Sequence, residues 1–544
     1  MSCYGPAHDG EQQEKAEDQF NQSSRKTVFP IDRLPLEVLS RIFLHCTDIP
    51  VIVDGVGQRR GALYKEGWIA LTHVCQHWRR LAMNTASLWT FPDFTHPILA
   101  LEMLKRSKHA PLYIDFSSHT LTQRGWQAID EAYKHIAHIA ELRLSYPNAT
   151  RMQDAVSNLV SPAPHLRELR FRCNYLYEGN GVIDLPGHFL GDLYPKFSHL
   201  SFLCCHVPWT AKFILNLDSL TCLSIVLGGK ATYELPTRRQ LFAILEKMPS
   251  LRKLELSEAV PPRHSEPPLP RSHINLPNLQ VLNLTSTTIP DCLDFLTHVS
   301  FPRFTVVEID HSDFEAQTRD EMATEIRLLE ATMARLSLST GVSDLFLGIE
   351  GIDPTELILK FSLPQPSSPL STAECCDLGK CGKNPVAPRL YFKMKWKSET
   401  AYAVDEVIVA FLSMLSLREL KTLEVKFYDT GYLSTSTFRK FFASLKGLET
   451  IKITGHVLVD FIATLNHSIH TPSGSTHQQG SSFPSLHDLQ LAHFDFRAQN
   501  ELLSSLINAC HYRKTYRWPV PTIHMEDCRL ADVQTLLLEE HLLI

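Results

Sequence analysis

Read for apolar spacing alone, the chain alternates between two rhythms. The first is a short phrase: a leucine-like residue, two further positions, then an apolar-x-apolar strand, often with a proline just upstream. It reads HLRELRF from His165, HLSFL from His199, SLTCLSI from Ser219, SLRKLEL from Ser250, NLQVLNL from Asn278, ELKTLEV from Glu419, GLETIKI from Gly447 and SLHDLQL from Ser485. Weaker copies are HIAELRL from His138, RFTVVEI from Arg303 and VSDLFLG from Val342. Alternate side chains of a strand share a face, so each phrase predicts a strand with its leucines buried. The second rhythm is helical. Thr237 opens a capping box closed by Gln240, and Leu241, Ile244, Leu245 and Met248 follow on one face. Phe438, Phe441, Phe442 and Leu445 repeat that spacing, with Gly447 standing where a helix end takes a left-handed residue.

A strand followed by an amphipathic helix, repeated, implies a parallel sheet beneath a helical layer. From Ile139 onward the first leucine-like positions are separated by 27, 34, 20, 31, 28 and 25 residues. This irregular period resembles leucine-rich repeats, in which no unit buries its own apolar face and neighbours stack into a solenoid. The expected fold class is α/β: a helical N-terminal unit over 28–95, then an irregular leucine-rich-repeat solenoid over 96–544, parallel sheet inside and helices outside. A doubly wound α/β domain is the alternative, opposed by the single recurring phrase and by the absence of a glycine-rich turn after any strand. Proline- and glycine-rich stretches at 258–275, 363–388 and 471–482 are expected to be loops. Residues 1–27, polar and nearly free of branched apolar side chains, read as a disordered tail.

With 44% hydrophobic positions among 544 residues, disorder throughout is excluded. A formal net charge of -6, from 59 acidic and 53 basic residues, supplies no basic field for nucleic acid or an anionic membrane surface. The start lacks the pattern of a secretory signal, and the apolar stretch Val407 to Leu417 is too short to span a bilayer. A cytoplasmic or nuclear protein is expected. Thirteen cysteines without a CxxC pair fit a reduced compartment, and Cys375, Cys376 and Cys381 read as loop thiols rather than a metal site.

The most specific signal is Ile31 to Phe43, IDRLPLEVLSRIF, where Pro35 suits the first helical turn and Val38, Leu39, Ile42, Phe43 and Cys46 make a broad apolar face. A second helix over Ile69 to Met83 places Leu71, Val74, Cys75, Trp78, Leu81 and Ala82 on one side, with Leu88-Trp89 soon after. So short a unit buries little by itself, so part of this surface is expected to need a partner. The pattern Leu34-Pro35-x-Glu37-Val38-Leu39-x-x-Ile42-Phe43, then Val74-Cys75-x-x-Trp78-Arg79-x-Leu81 and Leu88-Trp89, resembles an F-box, and its wording is similar to that of F-box-like proteins of mushroom-forming fungi. That resemblance implies a unit that inserts into a Skp-family adaptor, which links it to a cullin scaffold. It implies that Leu34, Pro35, Ile42, Phe43, Val74, Cys75, Trp78 and Leu81 form or support the interface. The stretch inserted near 47–67 is longer than the usual connection. The alternative is that both helices bury their faces against the first repeat.

Catalytic patterns are missing: there is no GxSxG, HExxH or GxGxxG. Gly228-Gly229-Lys230 and Gly382-Lys383 read as turns, and His264-Ser265-Glu266 as a solvated loop without the PCxxC of a zinc deaminase. Cys75, between His73 and His77, reads as a packed apolar cysteine. No cofactor or metal is expected. The resemblance implies a noncatalytic substrate receptor of an SCF-type cullin-RING ubiquitin ligase. A repeat scaffold or regulator with a degenerate F-box is the alternative, and a hydrolase assembled from distant residues a third. Strand alternation places the substrate surface on the residues between the leucines: Glu168, Arg170, Arg172, Lys253, Glu255, Asn283, Thr285, Glu424, Lys426, Thr450, Lys452, Asp488 and Gln490. About a dozen strands ~4.8 Å apart would span on the order of 55 Å, enough for a folded protein or a long peptide.

Overall fold

The structure, a computed structural model, describes residues 31, 34–46, 67–117, 122–146, 149–173, 183–186, 188–191, 196–207, 209, 217–227, 235–263, 274–286, 289–302, 305–311, 327, 330, 341–350, 355–362, 390–396, 404–428, 433–470 and 482–531. The expected tail 1–27, most of the 47–67 stretch and of the 258–275 and 471–482 loops, and all of 363–388 lie outside the described residues, as do Cys375, Cys376, Cys381, the Gly228 and Gly382 turns and His264 to Glu266. Two compact units divide the chain, Met1–Leu112 and Tyr113–Ile544.

In the first unit, Pro35 precedes helix α1 (Leu36–His45) at φ -54° and ψ 146°. It is the cap residue rather than part of the first turn, and its carbonyl accepts the Leu39 N–H at 3.0 Å. Leu39 and Phe43, one turn apart, are completely buried. The helix expected over 69–83 is broken at Cys75, which is extended at φ -156° and ψ 170°. It separates α2 (Leu71–Val74) from α3 (Gln76–Asn84), and its Sγ accepts the Trp78 N–H at 3.4 Å. The Arg79 guanidinium then ties the two pieces by donating to the Thr72 carbonyl at 2.7 Å. Apolar spacing missed the break because cysteine is not among the usual cap residues. Helix α4 (Pro97–Ser107) begins on a proline and contributes Met103 to the same core.

Among the described residues, the second unit is organised on one fifteen-stranded sheet. Its strands in chain order are β1 (Leu112–Ser117), β2 (Ile139–Tyr146), β3 (Glu168–Cys173), β4 (His199–Leu203), β5 (Cys222–Val226), β6 (Lys253–Ser257), β7 (Val281–Ser286), β8 (Val306–His311), β9 (Asp344–Glu350), β10 (Thr355–Ser362), β11 (Leu390–Trp396), β12 (Thr422–Lys426), β13 (Thr450–Thr454), β14 (Asp488–Ala492) and β15 (Thr522–Glu526). The described part of each copy reaches one of these strands, and its leucines are buried except Leu203, which lies on the other face. Leu142, Leu169, Leu200, Leu223, Leu254 and Leu282 form one continuous buried row in register, and Leu423, Ile451 and Leu489 another. Helices cover that face. Phe411 of α9 (Val404–Met414) lies 6.3 Å from Phe361 of β10 between ring centroids, and Tyr133 of α5 (Gln123–Tyr133) shares a 2.7 Å hydrogen bond with Tyr146 of β2. Among the intervening helices, numbered in chain order as α6 (Ala149–Ser157), α7 (Arg238–Leu245) and α8 (Ile289–His298), α7 has the expected capping box at Thr237 and Gln240.

The units repeat at the backbone as well. The residue before several of the strands donates to its counterpart one strand back: Ser198 to Arg167 at 2.8 Å, Thr221 to Ser198 at 2.8 Å, Arg252 to Thr221 at 2.7 Å and Glu449 to Lys421 at 2.9 Å. The residue after several strands is left-handed, namely Cys204 (φ 62°), Glu258 (55°), Gly455 (85°), His493 (54°) and Asp527 (50°). That single residue turns the chain out of the sheet.

The parallel stack is interrupted in the middle. The spatial order runs β8, β11, β10, β9, β12, with β10 antiparallel to both neighbours while β8–β11 and β9–β12 are parallel. VSDLFLG therefore does not follow RFTVVEI in space. The four residues between β9 and β10 are too few for a parallel crossover, so the chain must double back. Gly447 is a second correction: it is not left-handed, and α10 (Thr435–Phe441) ends six residues earlier. Its smallness instead admits close backbone, since a Cβ there would stand 3.2 Å from the Leu420 carbonyl oxygen.

Candidate functional site

Two surfaces carry the candidate residues, one on each unit. In the helical unit, Leu39, Phe43, Trp68, Ala82, Leu88, Trp89 and Met103 form the buried core. Trp78 leans on Phe43 with ring centroids 5.0 Å apart, Trp68 meets Trp89 edge-on at 4.8 Å, and the Trp89 indole donates to the Ala82 carbonyl at 2.9 Å. Of the expected adaptor-binding residues, Phe43 is thus wholly internal, Leu34, Trp78 and Leu81 are half-buried, and Pro35, Ile42, Val74 and Cys75 are exposed. Cys75 is not a packed apolar side chain but an exposed helix cap.

The sequence reading underrated the outer side of α1. Leu36 is 50% exposed and Val38 41%, beside Ile42 at 37%, while Val74 at the end of α2 is 60% exposed. The signal was present: a wheel of LEVLSRIF has apolar residues all round, and one helix cannot bury them all in a core this small. Aliphatic side chains are thus left in solvent on α1 and α2.

On the sheet, the thirteen expected substrate-facing residues all lie on the side away from the buried leucines, and most are half-exposed. Arg172 is exposed, and two are buried: Glu168 is 7% exposed and Asn283 9%. Glu168 is buried by two arginines, whose Nε atoms, Arg143 and Arg170, each approach its Oε1 at 2.6 Å. Arg143 also reaches Glu141 at 3.1 Å. Desolvation lowers the Arg143 pKa, but the Glu168 bond and the Glu168, Glu141 and Asp115 charges outweigh it and leave it raised. Further along, Lys253 pairs with Glu255 at 3.4 Å, and Asp488 takes a hydrogen bond from Gln490 at 2.8 Å and faces His524 at 3.4 Å. Where the sheet reverses, Lys360 of β10 sits 4.8 Å from the ring centres of both Phe346 and Tyr391. Lys360 and Tyr391 were missed because β10 and β11 do not carry the phrase, and Phe346, between the leucines of β9, because its strand is a weak copy whose neighbours the sequence did not give.

This open face carries charged and hydrogen-bonding groups, several of them in pairs of opposite sign. Among the described residues no group of three or more His, Cys, Asp or Glu side chains is placed to hold a metal ion, and no helix is long and apolar enough to cross a membrane.

A search of the curated proteins finds no match for the chain. Residues 31–95 match the family model described as F-box-like, and those residues contain α1, α2, α3 and the tryptophan core just described. The chain therefore carries an F-box-like domain at its N-terminal end.

Proposed function

We propose that the chain is a noncatalytic substrate receptor of an SCF-type cullin-RING ubiquitin ligase. Its F-box binds a Skp-family adaptor, and the open face of a leucine-rich-repeat solenoid binds a protein substrate. The observation that carries the first half is the coincidence of the F-box-like match with aliphatic side chains left in solvent on α1 and α2, namely Leu36, Val38, Ile42 and Val74. Burying such residues in a partner stabilises a complex by about 25 cal/mol per Å² of apolar surface. Leu34, Pro35 and Cys75 flank that set, whereas Phe43, Trp78 and Leu81 hold its geometry from inside. The second half is supported by the long open face with its buried Glu168 network. Ligase activity follows from holding substrate beside a charged conjugating enzyme, so the chain itself needs no reacting group.

The test is co-expression with an adaptor and a cullin, followed by pull-down of the full chain. Wild type is expected to retain both, and Ile42→Asp to lose on the order of a hundredfold in adaptor affinity, the size of an interface hot spot. Failure of the wild-type chain to retain either partner would favour a repeat scaffold whose F-box does not join a ligase.

A further inference from the structure

The open face is not uniform in charge. Strands β6, β7 and β8 pair in register so that Glu255, Asn283 and Glu308 lie side by side on it, with Lys253, Val281 and Val306 in the row on one side and Ser257, Thr285 and Asp310 on the other. These nine positions hold three carboxylates and one ammonium, a formal -2, whereas Glu141, Arg143, Ser145, Glu168, Arg170 and Arg172 on β2 and β3 sum to +1. In the middle of the acidic row stands Asn283, 9% exposed, with its Oδ1 bonded to no donor. A buried acceptor left unmatched is a standing cost that natural cores avoid, unless a ligand supplies the donor.

We propose that Glu255, Asn283 and Glu308 form the docking point for an arginine side chain on an extended segment of the protein substrate. The inference rests on the reading of the open face as the substrate surface. A guanidinium has five donors in one plane, enough to engage acceptors on adjacent strands about 4.8 Å apart, and it is the cation best suited to a partly desolvated carboxylate. Neither glutamate has to be free beforehand. Glu255 also meets Lys253 at 3.4 Å, and a carboxylate accepts up to about four hydrogen bonds. The Asn283 Oδ1 gains a bond that nothing in the protein now gives it.

The experiment is a cellulose array of random peptides of about twelve residues, probed with the full-length chain and with its variants E255Q/E308Q, N283L, K452E as a second open-face change, and R439E on α10 as the control. Retained peptides are expected to be at least threefold enriched in arginine, with lysine enriched less. E255Q/E308Q should abolish that enrichment, and R439E, on the exposed side of α10 and outside the open face, should keep it. N283L provides a second readout: removing an unmatched polar group should raise the melting temperature while weakening the arginine-rich peptides at least fivefold. The proposal is overturned if lysine and arginine are enriched equally, if no peptide is retained, or if N283L leaves peptide capture unchanged. If K452E alters binding but E255Q/E308Q does not, the docking point is wrong while the open-face reading survives. If no substitution on the face alters binding, both fall.

Discussion

At the scale of single residues, backbone conformation decides more than side-chain type. Glu258, His493 and Asp527 occupy the left-handed region at φ 50° to 55°, which an ordinary residue tolerates at a cost of about 1–2 kcal/mol. Gly455 holds the corresponding place at φ 85°, where a Cβ would stand 2.3 Å from the Phe427 carbonyl oxygen. Gly455→Ala is therefore expected to destabilise the sheet unit by about 2 kcal/mol or more, read from the denaturation midpoint of the full chain. The buried thiols give a second expectation at this scale. Burial pushes Cys173 and Cys510 up to about 11, and Cys205 and Cys292 upward as well. A raised value means the folded chain keeps the proton, so stability from these groups is full below the ordinary thiol range and declines as pH rises from there towards about 11. Iodoacetamide at pH 8 with mass mapping should label the exposed Cys75 in the native chain, and these four only after unfolding. Native labelling of Cys205 would contradict the placement.

At the scale of elements, caps and small cores set the margins. The reciprocal bonds of Thr237 and Gln240 start α7, and Thr237→Ala should cost about 1 kcal/mol while Thr237→Ser costs little, measured by thermal melting. In the helical unit, Trp78 and Ile42 separate packing from recognition. Trp78→Ala removes the ring tilted against Phe43 and should cost the unit about 3 kcal/mol, whereas Ile42→Asp on the outer side of α1 should change its stability by less than ~0.5 kcal/mol while disrupting adaptor capture. If the two variants melt alike, the division of α1 into an inner and an outer face is mistaken. The break at Cys75 belongs to this scale too. The apolar period continues across it, so the sequence reads one helix where an extended residue makes two.

At the scale of the whole molecule, each unit follows from apolar residues that must find a covered face. The sheet unit does so by adding strands, since a row of leucines on one strand is completed only by the rows on its neighbours. The helical unit is too small to cover all of its own, and the surplus on α1 and α2 is what a partner would bury. The recurring leucine phrases, the capping box at Thr237 and the F-box pattern around Leu34 to Phe43 and Val74 to Leu81 were legible in the sequence because each is local: period, cap and motif are fixed by residues within a turn or a strand of one another. Only the tertiary structure decided that β11 follows β8, that β10 runs against its neighbours, that Phe43 and Trp78 look inward while Leu36, Val38 and Ile42 look out, and that Asn283 is buried with an unmatched acceptor between two glutamates. Those features depend on which distant strand or helix arrives alongside, and strand order and packing partners are settled by competition among all the apolar faces at once rather than by any one stretch of chain.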